Sequence, residues 1–347
     1  MPTSSFDTFF ACTILVAAAL IGTAFLGSTM QTRIVNTADI NKDSYLKAIA
    51  DYIITSPGTP INWGTSSDVP RDFGLAAFTS TSPYELDMDK ITRLSNFNNY
   101  SLSPFDMANA AKLYNIALGI AFSQLLTIDI LQSSNSTIGS EISFAFTIST
   151  SINSIPTGSN LHCYISADNY LTNITSTTPN NGVRDLTLRV PSASTDNALL
   201  IIFAKATLDD RITSYAIYNF ANSTQESTPS NTDLTLTPLD YTLSFNETSP
   251  NLTVQNAYVF SYTYQQTLTS IQSSHYSIPK LIDTSPIVLI VCGSNGANYF
   301  QEWTAYPQIP LTAGANFNGS EKNIFSYIVT VNGVLYRLDL SLGDLPR

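Results

Sequence analysis

The 347-residue chain carries 15 Lys and Arg against 26 Asp and Glu, a net charge of −11, and only 12% of its residues are charged while 44% are hydrophobic. No basic stripe is present to meet phosphates, which argues against nucleic acid as a partner and disfavours docking on anionic lipid. A charged share about half the usual ~25% suits an exported β-rich protein better than a cytosolic enzyme.

The first element is an apolar run, Phe9 to Gly27, with no Lys or Arg before Arg33. As a helix it spans roughly 28 Å, about the thickness of a bilayer core. Phe9, Phe10, Ile14, Leu15, Val16, Leu20, Ile21, Phe25 and Leu26 leave no polar stripe, so this is not an amphipathic surface helix. A secretory signal has a basic n-region and a shorter apolar stretch. MPTSSFDTFF has no basic side chain, which favours a retained helix over a cleaved one. Such a helix is held at a membrane or packed against copies of itself. Asp7, at its start, faces the positive end of the helix dipole. The sharper reading pairs Asp7 with an α-amino group buried by assembly, because an unpaired buried charge is costly. Cys12 reads as a small apolar residue.

A second helix is predicted over Ala38 to Ile54, where Ile40, Tyr45, Leu46, Ile49, Ile53 and Ile54 approximate i, i+3/i+4 spacing. Asp39 or Asp43 starts it and Ser56-Pro57-Gly58 stops it. Asp39-Ile40-Asn41-Lys42-Asp43 opens like a calcium loop but lacks its glycine and closing glutamate, so no metal is assigned. Residues 57–103 read as irregular. A third helix follows, with Ser103 as cap, Pro104 in the first helical position, Asp106 in the first turn and Gly119 after the last apolar residues. From Ile120 the pattern switches to strands, at 120–131, 141–152, 161–167, 185–191, 198–207, 212–220, 233–246, 252–268, 285–292 and 323–341. The last is a hairpin, Tyr327 to Leu340, with Asn332-Gly333 supplying the positive φ angles of a type I′ turn. Polar stretches at 168–184 and 221–232 read as loops or a seam between sheets.

Reactive groups are scarce. His162 precedes Cys163, and neighbours on a strand point to opposite faces, so they make a poor base–nucleophile pair. His275 sits in the Ser-rich IQSSHYS as a solvated side chain, and no His/Cys spacing suits zinc. Cys292 runs into Gly293-Ser294-Asn295-Gly296 like a strand entering a phosphate loop, but neither a Lys nor a helix pattern follows. Asp209-Asp210 and the group Glu85, Asp87 and Asp89 are acidic clusters of the kind glycoside hydrolysis pairs, although acids at strand ends are ordinarily solvated turns. No catalytic, cofactor-binding or metal site is therefore predicted. Cys163 and Cys292 either form a disulfide, worth ~4–5 kcal/mol for so long a loop, or remain two buried thiols. Sequons at Asn99, Asn135, Asn173, Asn222, Asn246, Asn251 and Asn318 are about as many as chance supplies at this Asn and Ser/Thr content. In an exported domain they are glycosylation acceptors.

LKAIADYIITSPGTPINWG, RDFGLA and YELDMDKITRL, between Leu46 and Leu94, resemble archaeal membrane-anchored proteins of the type IV pilin-like class. The strand-rich remainder matches no family in this way. The resemblance implies a hydrophobic helix before a β-rich exported domain, with Phe9, Phe10, Ile14, Leu15, Leu20 and Phe25 as the assembly surface. It also sets Asp7 near the place of an early acidic residue and makes Trp63 and Gly64 structural, closing the turn after the helix. One departure is that pilin precursors carry a short basic leader, and no basic residue stands there in this sequence.

The expectation is thus an α+β fold: a hydrophobic anchor and assembly helix at 1–33, a helical and irregular neck at 34–119, and a mainly antiparallel β-sandwich exported domain at 120–347. The expected function is a structural subunit of a pilus-like extracellular filament, self-associating through its N-terminal helix and anchored in the cell membrane before assembly. The alternative is a monomeric membrane-anchored surface protein for binding or adhesion.

Overall fold

The structure, a computed structural model, describes residues 42–347 except 80–81, 169, 193–197, 221–224, 227–233, 238–239, 247–251, 281–282, 297, 318–321 and 345–347, together with Val16, Leu20, Ile21 and Thr23. The chain divides into two compact units, Met1–Asp51 and Tyr52–Arg347. In the first unit, the four described residues of the apolar run are helical and exposed, with Thr23 Oγ1 donating to the Leu20 carbonyl at 3.0 Å. Residues 42–51 are also helical and carry a Lys47–Asp51 ion pair of 2.8 Å, one turn apart. Asp7, Phe9, Phe10, Ile14, Leu15 and Phe25 lie outside the described residues.

The second unit is built from strands, and their pairing is antiparallel with one exception. Helix is confined to residues 52–55, a 3-10 turn at Trp63–Thr65, α1 (Met88–Thr92) and α2 (Pro104–Ala110). A terminal sheet orders β1 (Glu85–Leu86), β21 (Lys322–Val331), β22 (Val334–Asp344), β2 (Ile116–Gln124) and β20 (Leu311–Gly314), with β1 parallel to β21.

Four further sheets form a stack. In layer one, β4 (Glu141–Ile152) pairs with β3 (Leu126–Ile138), β8 (Val183–Pro191) and the short β5 (Ile155–Pro156). Layer two runs β11 (Gln225–Glu226), β10 (Thr213–Phe220), β9 (Ala198–Ala206), β6 (Ser159–Ala167), β7 (Tyr170–Thr178). Layer three runs β15 (Gln265–Thr267), β14 (Leu252–Phe260), β18 (Ile287–Asn295), β19 (Asn298–Tyr306). Layer four runs β12 (Leu234–Thr237), β13 (Thr242–Phe245), β17 (His275–Ser277), β16 (Thr269–Gln272).

Strand periodicity explains the stacking. In β9, ALLIIFAKA, successive side chains alternate faces. Leu200 and Ile202 enter the core between layers one and two, with Phe144, Phe146, Leu188 and Phe220. Leu199, Ile201 and Phe203 enter a second core between layers two and three, with Phe260, Val288, Ile290 and Trp303. β18 does the same from the other side, sending Leu289 and Val291 into a third core with Leu236, Leu243 and Phe245 of layer four. Both strands read as continuous apolar runs because both of their faces are covered. The tyrosine tips at the central core find acceptors: Tyr164 Oη donates to the Ser261 carbonyl at 3.0 Å and Tyr215 Oη to that of Ile309 at 2.6 Å.

These observations correct the α+β expectation. Outside residues 42–55, the helices of the described residues are single short pieces, and strands carry the fold. The expected transmembrane helix and the pilin-like description that rested on it are corrected with it. Among the described residues no helix is long and apolar enough to cross a membrane, and Phe9 to Gly27 falls, apart from Val16, Leu20, Ile21 and Thr23, outside them.

Smaller differences have local causes. The third helix starts as predicted, with a full Ser103/Asp106 capping box and Pro104 inside, but ends at Ala110. Lys112 takes φ +57°, which breaks the helical path, and the β-rich Ile116–Gln124 joins the terminal sheet. Gly119 lies in that sheet, where an added Cβ would meet the Ala315 carbonyl at 3.0 Å. The polar stretch expected as loop at 168–184 contains β7, an edge strand whose side chains need not be apolar. The final hairpin turns at Asn332 (φ +49°) and Gly333 (φ +77°), as the sequence predicts.

Candidate functional site

The predicted acidic group Glu85, Asp87 and Asp89 separates into structural roles. Asp87 caps α1, its Oδ1 accepting from the backbone N–H of Asp89 at 2.9 Å and of Lys90 at 3.2 Å. Glu85 lies in β1. Asp89 is partly buried, and its carboxylate accepts from Tyr241 Oη at 2.9 Å and from Tyr306 Oη. Burial holds the Asp89 carboxyl above its ordinary value against those hydrogen bonds, and the nearby Asp87 charge adds to the rise. Lys280 Nζ sits 4.2 Å above the Tyr241 ring. The cluster ties α1 to layers three and four, and both carboxylate oxygens are already engaged.

Two buried cations flank it. Lys90 is fully buried and donates to the carbonyls of Pro57 and Ala76, each at 2.8 Å, with Asp87 at 3.9 Å. Arg93 donates to the carbonyls of Tyr100 at 2.8 Å, Asp68 at 3.2 Å and Trp63. Desolvation lowers the pKa of both. Trp63 and Gly64 pack into the same region: Trp63 Nε1 donates to the Gly74 carbonyl at 2.9 Å, and a Cβ on Gly64 would strike the Lys90 backbone nitrogen at 2.6 Å.

A second polar assembly is open to ligands. The face of β6 that buries Tyr164 continues along the strand into His162 and Asn160, where the pairing register sets Thr175 and Thr177 of β7 opposite them. The central core gives way there to a cavity of about 430 Å³ lined by Asn160, His162, Thr175, Thr177, Arg184 and Tyr262 among others. His162 stacks on Tyr164, with centroids 4.6 Å apart and planes at 12°, and meets Tyr262 edge-on at 6.2 Å. Lys205, paired with Asn160 across β9, holds its Nζ 4.5 Å above the Tyr262 ring. Burial lowers the His162 pKa, opposed by hydrogen bonds with the Tyr262 backbone and the Asn173 side chain, so the fixed positive charges here are Arg184 and Lys205. No acidic side chain is among the described lining residues. Asp283, whose charge acts on Tyr164, has its Oδ2 engaged by Ser261 Oγ at 2.8 Å and Thr263 Oγ1 at 3.0 Å. This arrangement presents cations, amides, hydroxyls and an aromatic wall. It can bind a polar anion.

The remaining predicted residues are placed apart. Cys163 and Cys292 are free and buried, on β6 and β18 respectively, so the disulfide reading is corrected. Cys163 points into the core between layers one and two, where burial pushes its thiol up to about 12. Cys292 Sγ contacts the Asn256 carbonyl at 3.4 Å, and the glycine-rich stretch after it continues β18 into a hairpin rather than a phosphate loop. Asp209 forms a 2.7 Å ion pair with Arg211 in an exposed turn. His275 Nδ1 lies 2.9 Å from the Ser273 carbonyl. Asn99, Asn135, Asn173 and Asn246 are exposed, while Asn222, Asn251 and Asn318 lie outside the described residues. Among the described residues no group of three or more His, Cys, Asp or Glu is placed to hold a metal ion. The groove was not predicted, because His162 and Lys205 share one sheet while Arg184 comes from the neighbouring sheet and Tyr262 from the segment after β14, so only the tertiary arrangement brings them together.

No family model matches the chain, and no curated protein matches it. Among solved structures it is similar to wild-type OgpA from Akkermansia muciniphila, at 10% identity and a TM-score of 0.20, covering 29% of this chain and 30% of that one. So slight a likeness bears on neither fold nor activity.

Proposed function

We propose that the chain is a surface-type binding protein that holds an anionic, hydroxyl-rich ligand of the acidic-saccharide class in the groove beside His162. The observation that carries this reading is the groove itself. In a chain of net charge −11, Arg184 and Lys205 stand beside Tyr262, with the amide of Asn160 and the hydroxyls of Thr175 and Thr177 around them. Arg favours oxyanions through paired N–H donors, and amides and hydroxyls serve sugar hydroxyls. The low charge and high Ser/Thr content suit an exported setting for such a protein. The filament reading draws on Phe9 to Gly27 and not on the sandwiches.

Calorimetric titration with a sulfated oligosaccharide and its desulfated counterpart tests the proposal. The sulfated form binds, more weakly as salt rises, and Arg184→Ala lowers affinity by about tenfold or more, in line with the loss of a charge-assisted hydrogen bond. Equal binding of both forms, or binding unchanged in Arg184→Ala, contradicts it.

A further inference from the structure

The outer edge of β21 is largely uncovered. β1 covers only its last two residues, Glu85 pairing with Thr330 and Leu86 with Val331. The Thr330 N–H donates outward to the Tyr84 carbonyl at 3.0 Å. Alternate residues of a strand aim their backbone groups the same way. The N–H and C=O groups of Ile324, Ser326 and Ile328 therefore also point outward, and no strand of the described residues meets them. Beside this edge Ile324 is 54% exposed and Ile328 52% exposed, on the same face as Ser326.

Two other open edges carry protection. β3 has a bulge between Gln132 and Ser134 and a polar, exposed end. β7 turns Asn173, Thr175 and Thr177 to solvent. β21 pairs with β22 without a bulge, contains no proline and has one charge, Lys322, at its start. A regular apolar edge of this kind is a template for another strand.

We infer that this edge is a self-association surface, on which two copies pair β21 with β21 antiparallel about a twofold axis through Ser326. β1 occupies the edge from Thr330 onward, with the Tyr84 ring 6.0 Å from that of Tyr327, and the strand begins at Lys322; pairing over residues 323–329, about Ser326, brings the two ends together. With Ser326 opposite its copy, Ile324 faces Ile328 and Phe325 faces Tyr327 on each side of the axis. The four isoleucines cover one another, and each outward residue exchanges both backbone hydrogen bonds with its opposite. Lys322 of each copy comes up to the end of β1 in the other, where Glu85 lies beside Thr330, so opposite charges meet. A twofold contact is isologous and closes at a dimer.

The test uses the full chain in mild detergent with Cys12→Ser as background, leaving only the buried Cys163 and Cys292. In the paired register the Ser326 Cα atoms stand about 5.5 Å apart, within disulfide reach. Ser326→Cys then gives a disulfide-linked dimer under mild oxidation, while Ser136→Cys on the bulged β3 edge does not. Ile324→Lys with Ile328→Lys abolishes that cross-link and moves the unlinked chain from dimer to monomer in sedimentation, with far-UV circular dichroism unchanged. A folded Ser326→Cys chain that fails to cross-link overturns the proposal. A dimer that survives the two lysines also overturns it, and assigns association to another surface such as the apolar run.

Discussion

The middle of the stack is held by apolar side chains, whereas the part of the neck at residues 52–115 adds a set of directional bonds to an apolar core of its own around Ile53, Trp63, Phe73, Leu75, Ile91 and Leu94. Layers two and three meet through Leu199, Ile201, Phe203, Phe260, Val288, Ile290 and Trp303, apolar side chains that are nearly or fully buried. Each contributes in proportion to area removed from water, about 1.5–3 kcal/mol for a large side chain. The neck has few regular elements. Its loops are tethered by hydrogen bonds from Lys90, Arg93 and Trp63 to carbonyls of residues 57–100. A buried cation is tolerated there because loop carbonyls surround it as acceptors, two of them for Lys90 and three for Arg93. Area alone holds the sheets together, and the loops add directional bonds to it.

Substitutions can break that comparison. The largest effect is expected in the central core: Phe203→Ala removes a fully buried ring and costs about 3–5 kcal/mol in urea unfolding. Lys90→Ala comes next, since it leaves two partly buried carbonyls without that donor, at roughly 1–3 kcal/mol or less each. Its cost should be accompanied by faster protease cleavage within residues 57–76, which Phe203→Ala at equal residual stability does not produce. Ser103→Ala removes one half of the capping box of α2 and costs about 1 kcal/mol, read by the same unfolding curve.

A pH series sharpens the comparison further. The Asp89 carboxyl is raised above its ordinary 3.8, so the native state binds the proton more tightly than the unfolded chain does. Its contribution is most favourable below 3.8 and is lost as pH rises through the raised folded value. Asp89→Asn therefore gains stability relative to the parent chain across that window, and a difference that shrinks with rising pH contradicts the assignment. At the small end, Leu208→Ser on an 83% exposed turn residue changes stability by less than about 0.5 kcal/mol.

The sequence made some of this legible and hid the rest for physical reasons. β4 is readable because Ile, Thr and Phe fill it, β9 because it is a short continuous apolar run, and the last hairpin because Asn332-Gly333 admits one turn type. The start of α2 is readable from its cap, but its end depends on Lys112 adopting positive φ, which no local pattern signals. β7 is mostly polar, so it looks like loop until β6 supplies its partner. YELDMDKITRL looks like a solvated acidic segment, yet Lys90 and Arg93 are buried by loops distant in sequence. The groove was the least legible feature, since its two cations come from β8 and β9 and its aromatic wall from the segment after β14.

The central claim is that layers two and three, joined by the core around Phe203 and Trp303, are one cooperative body. Native-state hydrogen exchange along β9 and β18 tests it most directly. The predicted result is that amides in both strands exchange only through global opening, with the same free energy and the same urea dependence, while amides around Trp63 and α1 open at lower cost. If β18 exchanged through a cheaper opening while β9 stayed protected, the two layers would be separate bodies and the account would be contradicted.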